Sequence, residues 1–189
     1  MAADYQMQLA PQTLDSANEK ARPLLQQAQE TLGFVPNMYA GMAKAPGVLD
    51  TYLHGYQLFR EDSGFSAPEQ EVVFLTISRL NGCDYCMSAH SMLADKVSQV
   101  PAETVQAIRD GQPIPDERLA ALSDFTRVMF ETRGMPTEAD VKAFLAAGFE
   151  EQHVLQIVLA LAVKTLSNYA NHVNHPELDE AFSGHAWQG

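Results

Sequence analysis

Two cysteines, Cys83 and Cys86, stand in Cys83-Asp84-Tyr85-Cys86, and an imidazole, His90, follows one helical turn later. On a helix each residue advances about 100°, so offsets of three and seven bring Cys83, Cys86 and His90 within roughly 60° of arc. A thiol is a nucleophile only as thiolate, and a helix N-terminus and a nearby imidazole both lower its pKa from about 8.5. The group therefore points to thiol-disulfide chemistry. A disulfide between such close cysteines closes a tiny loop and staples almost nothing, so a structural bridge is a poor use of them. In a reducing compartment a close pair is more often catalytic or metal-binding.

Other readings of the same residues stand beside this one. Zinc uses the same Cys spacing, but a structural site wants four ligands, and the fourth would come from a distant His or from Glu71. Two free cysteines can also be inert core residues, although a buried imidazole on the same face needs a polar partner. Glu71 interrupts the apolar run Val72-Val73-Phe74. By itself it reads as a solvated first-turn glutamate favoured by the helix dipole.

The elements that must position these residues read as helices throughout. Ala17 to Leu32 has helical composition and stops at Gly33-Phe34-Val35-Pro36-Asn37. A short helix covers Asn37 to Ala43, and after Pro46 the residues Val48, Leu49, Tyr52, Leu53, Tyr56 and Phe59 recur at helical spacing. Ser66, Pro68 and Glu69 make a capping box for a helix running to Leu80. The β-branched group Val72, Val73, Thr76 and Ile77 offers a strand as the rival, but the caps and the length favour helix. Asn81-Gly82 then turns the chain, so that Cys83 begins a helix running through His90 to Lys96.

Further helices follow from Pro101 to Arg109, through the pattern Leu119, Leu122, Phe125, Val128, Met129, and from Pro136-Thr137 to Gly148. From Glu151 the residues Val154, Leu155, Ile157, Val158, Leu159, Leu161, Ala162 and Leu166 are apolar nearly all round, which predicts a helix central to the core. The tail from His175 lacks periodicity and either wraps over a neighbour or frays. Glu69 to His90 and Glu151 to His172 echo each other weakly, with Thr165 and Asn168 where the first copy has the thiols. The prediction is an all-α compact domain over residues 1–189, with about eight helices, a core over 20–175 and a tail over 176–189.

At 189 residues the chain can bury a core without staples. Apolar residues make up 46% and charged residues 19%, which predicts an ordered globular protein. A net charge of −12 argues against nucleic acid as a partner, since phosphate binding needs clustered Lys and Arg. No apolar run approaches the roughly 20 residues of a membrane span, and Met1 to Ala10 lacks a secretory pattern, so a cytoplasmic location is expected.

Glu71 followed by Arg79-Leu80-Asn81-Gly82-Cys83-Asp84-Tyr85-Cys86-Met87-Ser88-Ala89-His90 resembles the core of the AhpD-like alkylhydroperoxidases, in the carboxymuconolactone decarboxylase superfamily. Gly33-Phe34-Val35-Pro36-Asn37 and Ala45-Pro46 resemble the start of many members, so the likeness runs over about residues 20 to 175. The resemblance implies an AhpD-like helical fold, a homo-oligomer (trimer or hexamer), and a catalytic set of Glu71, Cys83, Cys86 and His90 in which acid and imidazole relay protons to the thiols. Glu71 acquires that role through the resemblance alone. Tyr85 stands where the characterised alkylhydroperoxidases often have His, while Tyr is frequent at this position in the branch called peroxidase-related. It is a possible accessory residue, as is His172 in Asn168-Tyr169-Ala170-Asn171-His172, which is similar to that branch's C-terminal signature.

The expected activity is reduction of a small hydroperoxide. One thiolate attacks, a sulfenic acid forms, the other thiol resolves it to a Cys83-Cys86 disulfide, and a dithiol or protein reductant restores the pair. Helix position favours Cys83 as the attacking thiol, and the spacing to His90 favours Cys86. No cofactor beyond the redox-active pair and no metal is expected. Lactone decarboxylation and a non-catalytic zinc or scaffold module are the alternatives, the first weakened by the thiol pair.

Overall fold

Ser66 and Glu69 bond reciprocally, Glu69 Oε2 accepting from the Ser66 N–H at 2.8 Å, and so start the helix around which the others pack. In the computed structural model, which describes residues 4–189, the elements are α1 (Arg22–Leu32), α2 (Asn37–Met42), α3 (Pro46–Asp62), α4 (Ala67–Leu80), α5 (Asp84–Lys96), α6 (Ala102–Asp110), α7 (Glu117–Glu131), α8 (Glu138–Ala146) and α9 (Glu151–Asn174), followed by a 3-10 helix (Glu180–His185). No strand occurs among the described residues, and the fold is all-α. The β-branched group on α4 is helical, because burial on every side rewards packing over intrinsic propensity.

α1 begins later than Ala17 because Asn18 Oδ1 accepts from the N–H groups of Lys20 and Ala21, a turn that competes with helix. The centre of the core also differs from expectation. It is α4, buried without a break from Glu69 to Ser78 and packed against α3, α5, α6, α7 and α9. Its polar side chains are satisfied internally: Gln70 Nε2 donates to Phe65 O and Arg60 O, Thr76 shares a bond with Ser123, and Ser78 Oγ donates to Phe74 O.

α9 is two-faced rather than apolar all round. Ile157, Ala160, Val163, Lys164, Ser167, Asn168 and Asn171 face inward, while Leu155 is 71% and Tyr169 54% exposed on the opposite stripe. The sequence echo has no structural counterpart: Glu69 to His90 folds as two helices broken at Gly82 (φ +64°), whereas Glu151 to His172 lies within one continuous helix.

The tail is a strap across α5. Asp179 accepts from the Asn37 N–H and from the Tyr85 hydroxyl, Trp187 donates its N–H to Ser88 Oγ (3.0 Å) and its indole N–H to Arg109 O (3.1 Å), and Phe182 meets the Tyr85 ring edge-on. The hydrophobic cluster accordingly continues beyond the expected limit at 175, through Leu178, Phe182 and Trp187. No helix among the described residues is long and apolar enough to cross a membrane.

Candidate active site

Gly82, in the left-handed region, ends α4 and turns the chain so that Cys83 becomes the N-cap of α5, with extended backbone (φ −95°, ψ 95°). Cys83 therefore precedes the helix that carries Cys86 and His90, and the helical arc applies only to the latter two. Both cysteines are free thiols and both are buried, 1% and 2% exposed.

The two sulfurs share a donor from across the core. Asn171 Nδ2 on α9 lies 3.5 Å from Cys83 Sγ and 3.3 Å from Cys86 Sγ, and Ser167 Oγ lies 3.9 Å from Cys86 Sγ. Burial pushes both thiols up, but the thiols bond to each other, and the proton stays with one of them. Against its burial, Cys86 is held well below the usual thiol range by the Cys83 S–H, the charge of Lys164, His90 and Ser167. Cys83, which supplies its S–H to Cys86, is pushed well up. Of the two thiols, Cys86 is the one whose surroundings favour the thiolate.

Behind the sulfurs runs a chain of polar groups on three helices. His90 Nδ1 is 2.8 Å from Glu71 Oε2, and Glu71 Oε1 accepts from Arg60 at 2.5 Å. Arg60 also donates to Tyr56 Oη (2.7 Å) and Gln70 Oε1 (3.1 Å). Glu71, 1% exposed, is no solvated first-turn residue. Burial pushes its carboxyl up, but His90 and Arg60 outweigh that and hold it below its usual range. Burial and Lys164 lower His90, against the pull of Glu71. Near neutrality Glu71 is thus ionised and His90 neutral, so Nδ1–H donates to Glu71 and Nε2 carries the lone pair.

Tyr39, Tyr52 and Tyr56 adjoin in sequence beside this group, the first pair edge-on and the second tilted, with ring centroids 5.8 Å apart at each step, and burial keeps all three phenols protonated. A cavity of about 410 Å³, lined by Tyr39, Leu53, Tyr56, Gln57 and Arg60 among others, opens beside them.

The expected four residues, Glu71, Cys83, Cys86 and His90, come together. The two accessory candidates do not join them. The Tyr85 hydroxyl points to Asp179 and to the Met38 N–H (3.5 Å), which makes Tyr85 an anchor for the tail. His172 stacks on Tyr169 and makes no bond to the set, and its buried Nε2 has no partner among the described residues. Among the described residues no three His, Cys, Asp or Glu side chains are grouped so as to hold a metal ion.

Residues 46–127, which include Glu71, both cysteines and His90, match the family model "Carboxymuconolactone decarboxylase family". The match spans 82 of the chain's 189 residues and is a likeness to that family over this segment. A crystal structure of an uncharacterized peroxidase-related protein with an AhpD core, from Ralstonia eutropha JMP134, superposes with a TM-score of 0.80 at 22% identity, over 92% of this chain and 93% of that one. An uncharacterized peroxidase-related protein from Silicibacter sp. TM1040 gives 0.76 at 20% identity, over 95% and 96%. The debrominase Bmp8, in a variant complexed with 2,3,4-tribromopyrrole, gives 0.74 at 16% identity, over 95% of each chain. Likeness at these identities establishes the fold. No curated protein sequence matches the chain.

Part of the site lies outside the matched segment. Lys164, Ser167 and Asn171 come from α9, beyond residue 127. Arg60, Lys164 and Asn171 were not singled out from the sequence. The available signal was Lys164 itself, a lone cation in Leu159 to Leu166. Arg60 had none, because its role follows from how α3 crosses α4.

Proposed function

We propose that this protein is a thiol-dependent hydroperoxide reductase in which Cys86 attacks and Cys83 resolves. The observation that carries this reading is the convergence on Cys86 Sγ of Asn171 Nδ2, the Cys83 thiol and Ser167, beside a neutral His90 oriented by Glu71. Cys86 thiolate attacks the terminal oxygen of ROOH, the O–O bond breaks, the sulfur keeps the OH, and RO⁻ takes a proton from solvent relayed through His90 Nε2. Cys83 then attacks the sulfenic sulfur, water leaves, and the disulfide forms; an external dithiol supplies the two electrons that reopen it. The tyrosine-lined cavity is the approach for a small, uncharged hydroperoxide, since the buried thiols exclude bulky or ionic ones.

The test is rapid mixing of reduced protein with an organic hydroperoxide, followed by mass spectrometry. A Cys83-Cys86 disulfide should form in wild type. Cys83→Ser should stop at a Cys86 sulfenic acid trapped by a 1,3-dione, and Cys86→Ser should do neither. No bridge in wild type refutes the reading.

The likeness to Bmp8 favours a second reading, reductive debromination by the same dithiol: the carbon–bromine bond becomes carbon–hydrogen, and bromide and a proton are released as the disulfide forms. Bromide release from 2,3,4-tribromopyrrole without peroxide turnover would select it. Homo-oligomerisation belongs to the proposal as well. The uncharged row Leu155, Val158, Ala162, Thr165 and Tyr169, exposed at alternating three- and four-residue spacing on α9, supports contact with a second copy in a chain otherwise strongly anionic. Leu155→Glu should then lower the mass measured by analytical ultracentrifugation.

A further inference from the structure

We infer that Lys164 is the fixed counter-cation of Cys86, so that the reduced protein rests as a buried ammonium–thiolate pair with His90 kept in its base form. The inference depends on the proposed function only in taking Cys86 as the reactive thiol.

Lys164 is 0% exposed, and its Nζ has no hydrogen-bond partner. It lies 5.4 Å from the centroid of Phe74, the ring that also meets His90 (centroids 5.0 Å apart) and Arg60 (4.9 Å). Ser167 and Asn171, three and seven residues on, share its face of α9, and both approach Cys86 Sγ. Lys164 therefore belongs to the wall that touches the thiol.

The charges facing Cys86 leave it one partner. From α3 come the protonated Tyr52 and Tyr56, from α2 the protonated Tyr39, from the N-cap of α5 Cys83, from α5 Tyr85 and His90, and from α9 Lys164, with Arg60 and Glu71 behind His90. Glu71 is already bonded to Arg60 and His90. No carboxylate lies within ion-pair distance of Lys164 among the described residues. A buried cation without an anion is strongly unfavourable, and the anion this site can generate is the Cys86 thiolate. The same charge disfavours imidazolium, which leaves His90 able to accept a proton; it is second only to burial among the influences lowering that ring.

The experiment measures the pH dependence of iodoacetamide alkylation of the reduced protein, with the modified cysteine located by mass spectrometry, in wild type, Lys164→Met and Lys164→Arg. Cys86 in wild type should titrate below the ordinary thiol value of about 8.5. Lys164→Met, which keeps the stem and removes the charge, should raise that midpoint by about one unit or more, roughly tenfold less thiolate at a given lower pH, and Lys164→Arg should restore it. A wild-type Cys86 midpoint at or above the ordinary value overturns the inference, as does a folded Lys164→Met with an unchanged midpoint. If Lys164→Met does not fold, the wild-type titration decides. A protein with a low Cys86 midpoint and no peroxide-driven disulfide would keep this inference and remove the peroxidase.

Discussion

Replacing Glu71 by Gln separates the two roles its carboxylate performs. The swap preserves shape but removes the charge bonded to His90 Nδ1 (2.8 Å) and to Arg60 (2.5 Å). Removing one partner of a fully buried pair costs about 3–5 kcal/mol. Arg60 is 20% exposed and can turn to water, and the amide oxygen can still accept one bond, so about 2 kcal/mol is the better figure. For a domain of this size that lowers the Tm by roughly 4–8 °C. Peroxide-driven disulfide formation should fall by about a hundredfold or more, because His90 loses the group that fixes its tautomer and orientation. The thiolate should not be lost with it. Without the carboxylate, the positive charge of Arg60 and Lys164 around the site is no longer offset, so alkylation of Cys86 at low pH should be retained or increased. Stopped-flow turnover and alkylation on the same sample read the two effects. A parallel fall in both would refute the assignment of Glu71 to His90.

Stability should decrease on acidification. The folded-state values of His90 and Glu71 are both depressed, so the unfolded chain binds more protons below the usual values of 6.5 and 4.5, and stability present above them is lost as pH falls through each window; urea midpoints at several pH values check this. Tyr85→Phe removes the hydroxyl from Asp179 and Met38 while keeping the Phe182 ring contact, and should cost about 1 kcal/mol and expose residues 176–189 to limited proteolysis without changing the Cys86 midpoint. Gly55→Ala sets a Cβ 2.9 Å from Val163 Cγ2, forcing α3 from α9 and drawing Arg60 and Lys164 apart. A loss of about 1–3 kcal/mol in denaturant unfolding is expected, with slower peroxide reaction.

Local chemistry wrote much of this architecture into the sequence. Ser66 with Glu69 starts α4 at the expected residue, Gly82 breaks the chain before the thiols, and Gly33 and Gly111 end helices in the left-handed region. In α9 the row of apolar residues identifies a helix but does not say which face meets the core. The inward face of its second half is the polar one: Ser167 and Asn171 approach the thiols, Asn168 accepts from Asn81, and Lys164 lies over the Phe74 ring. The tail carries no periodicity because its order comes from single bonds to Tyr85, Ser88 and Arg109 rather than from a repeating face.

The pairing of two thiols with His90 was present in the spacing, because one short segment carries all three. Resemblance added Glu71, which spacing alone could not, since its bond to His90 forms between two helices. What only the tertiary structure decided is the charge of the site. Arg60 arrives from α3 and Lys164 from α9, and their proximity to sulfur and carboxylate is a property of helix packing. That packing sets which thiol carries the negative charge, because electrostatic energy depends on distance through the core and not on separation along the chain.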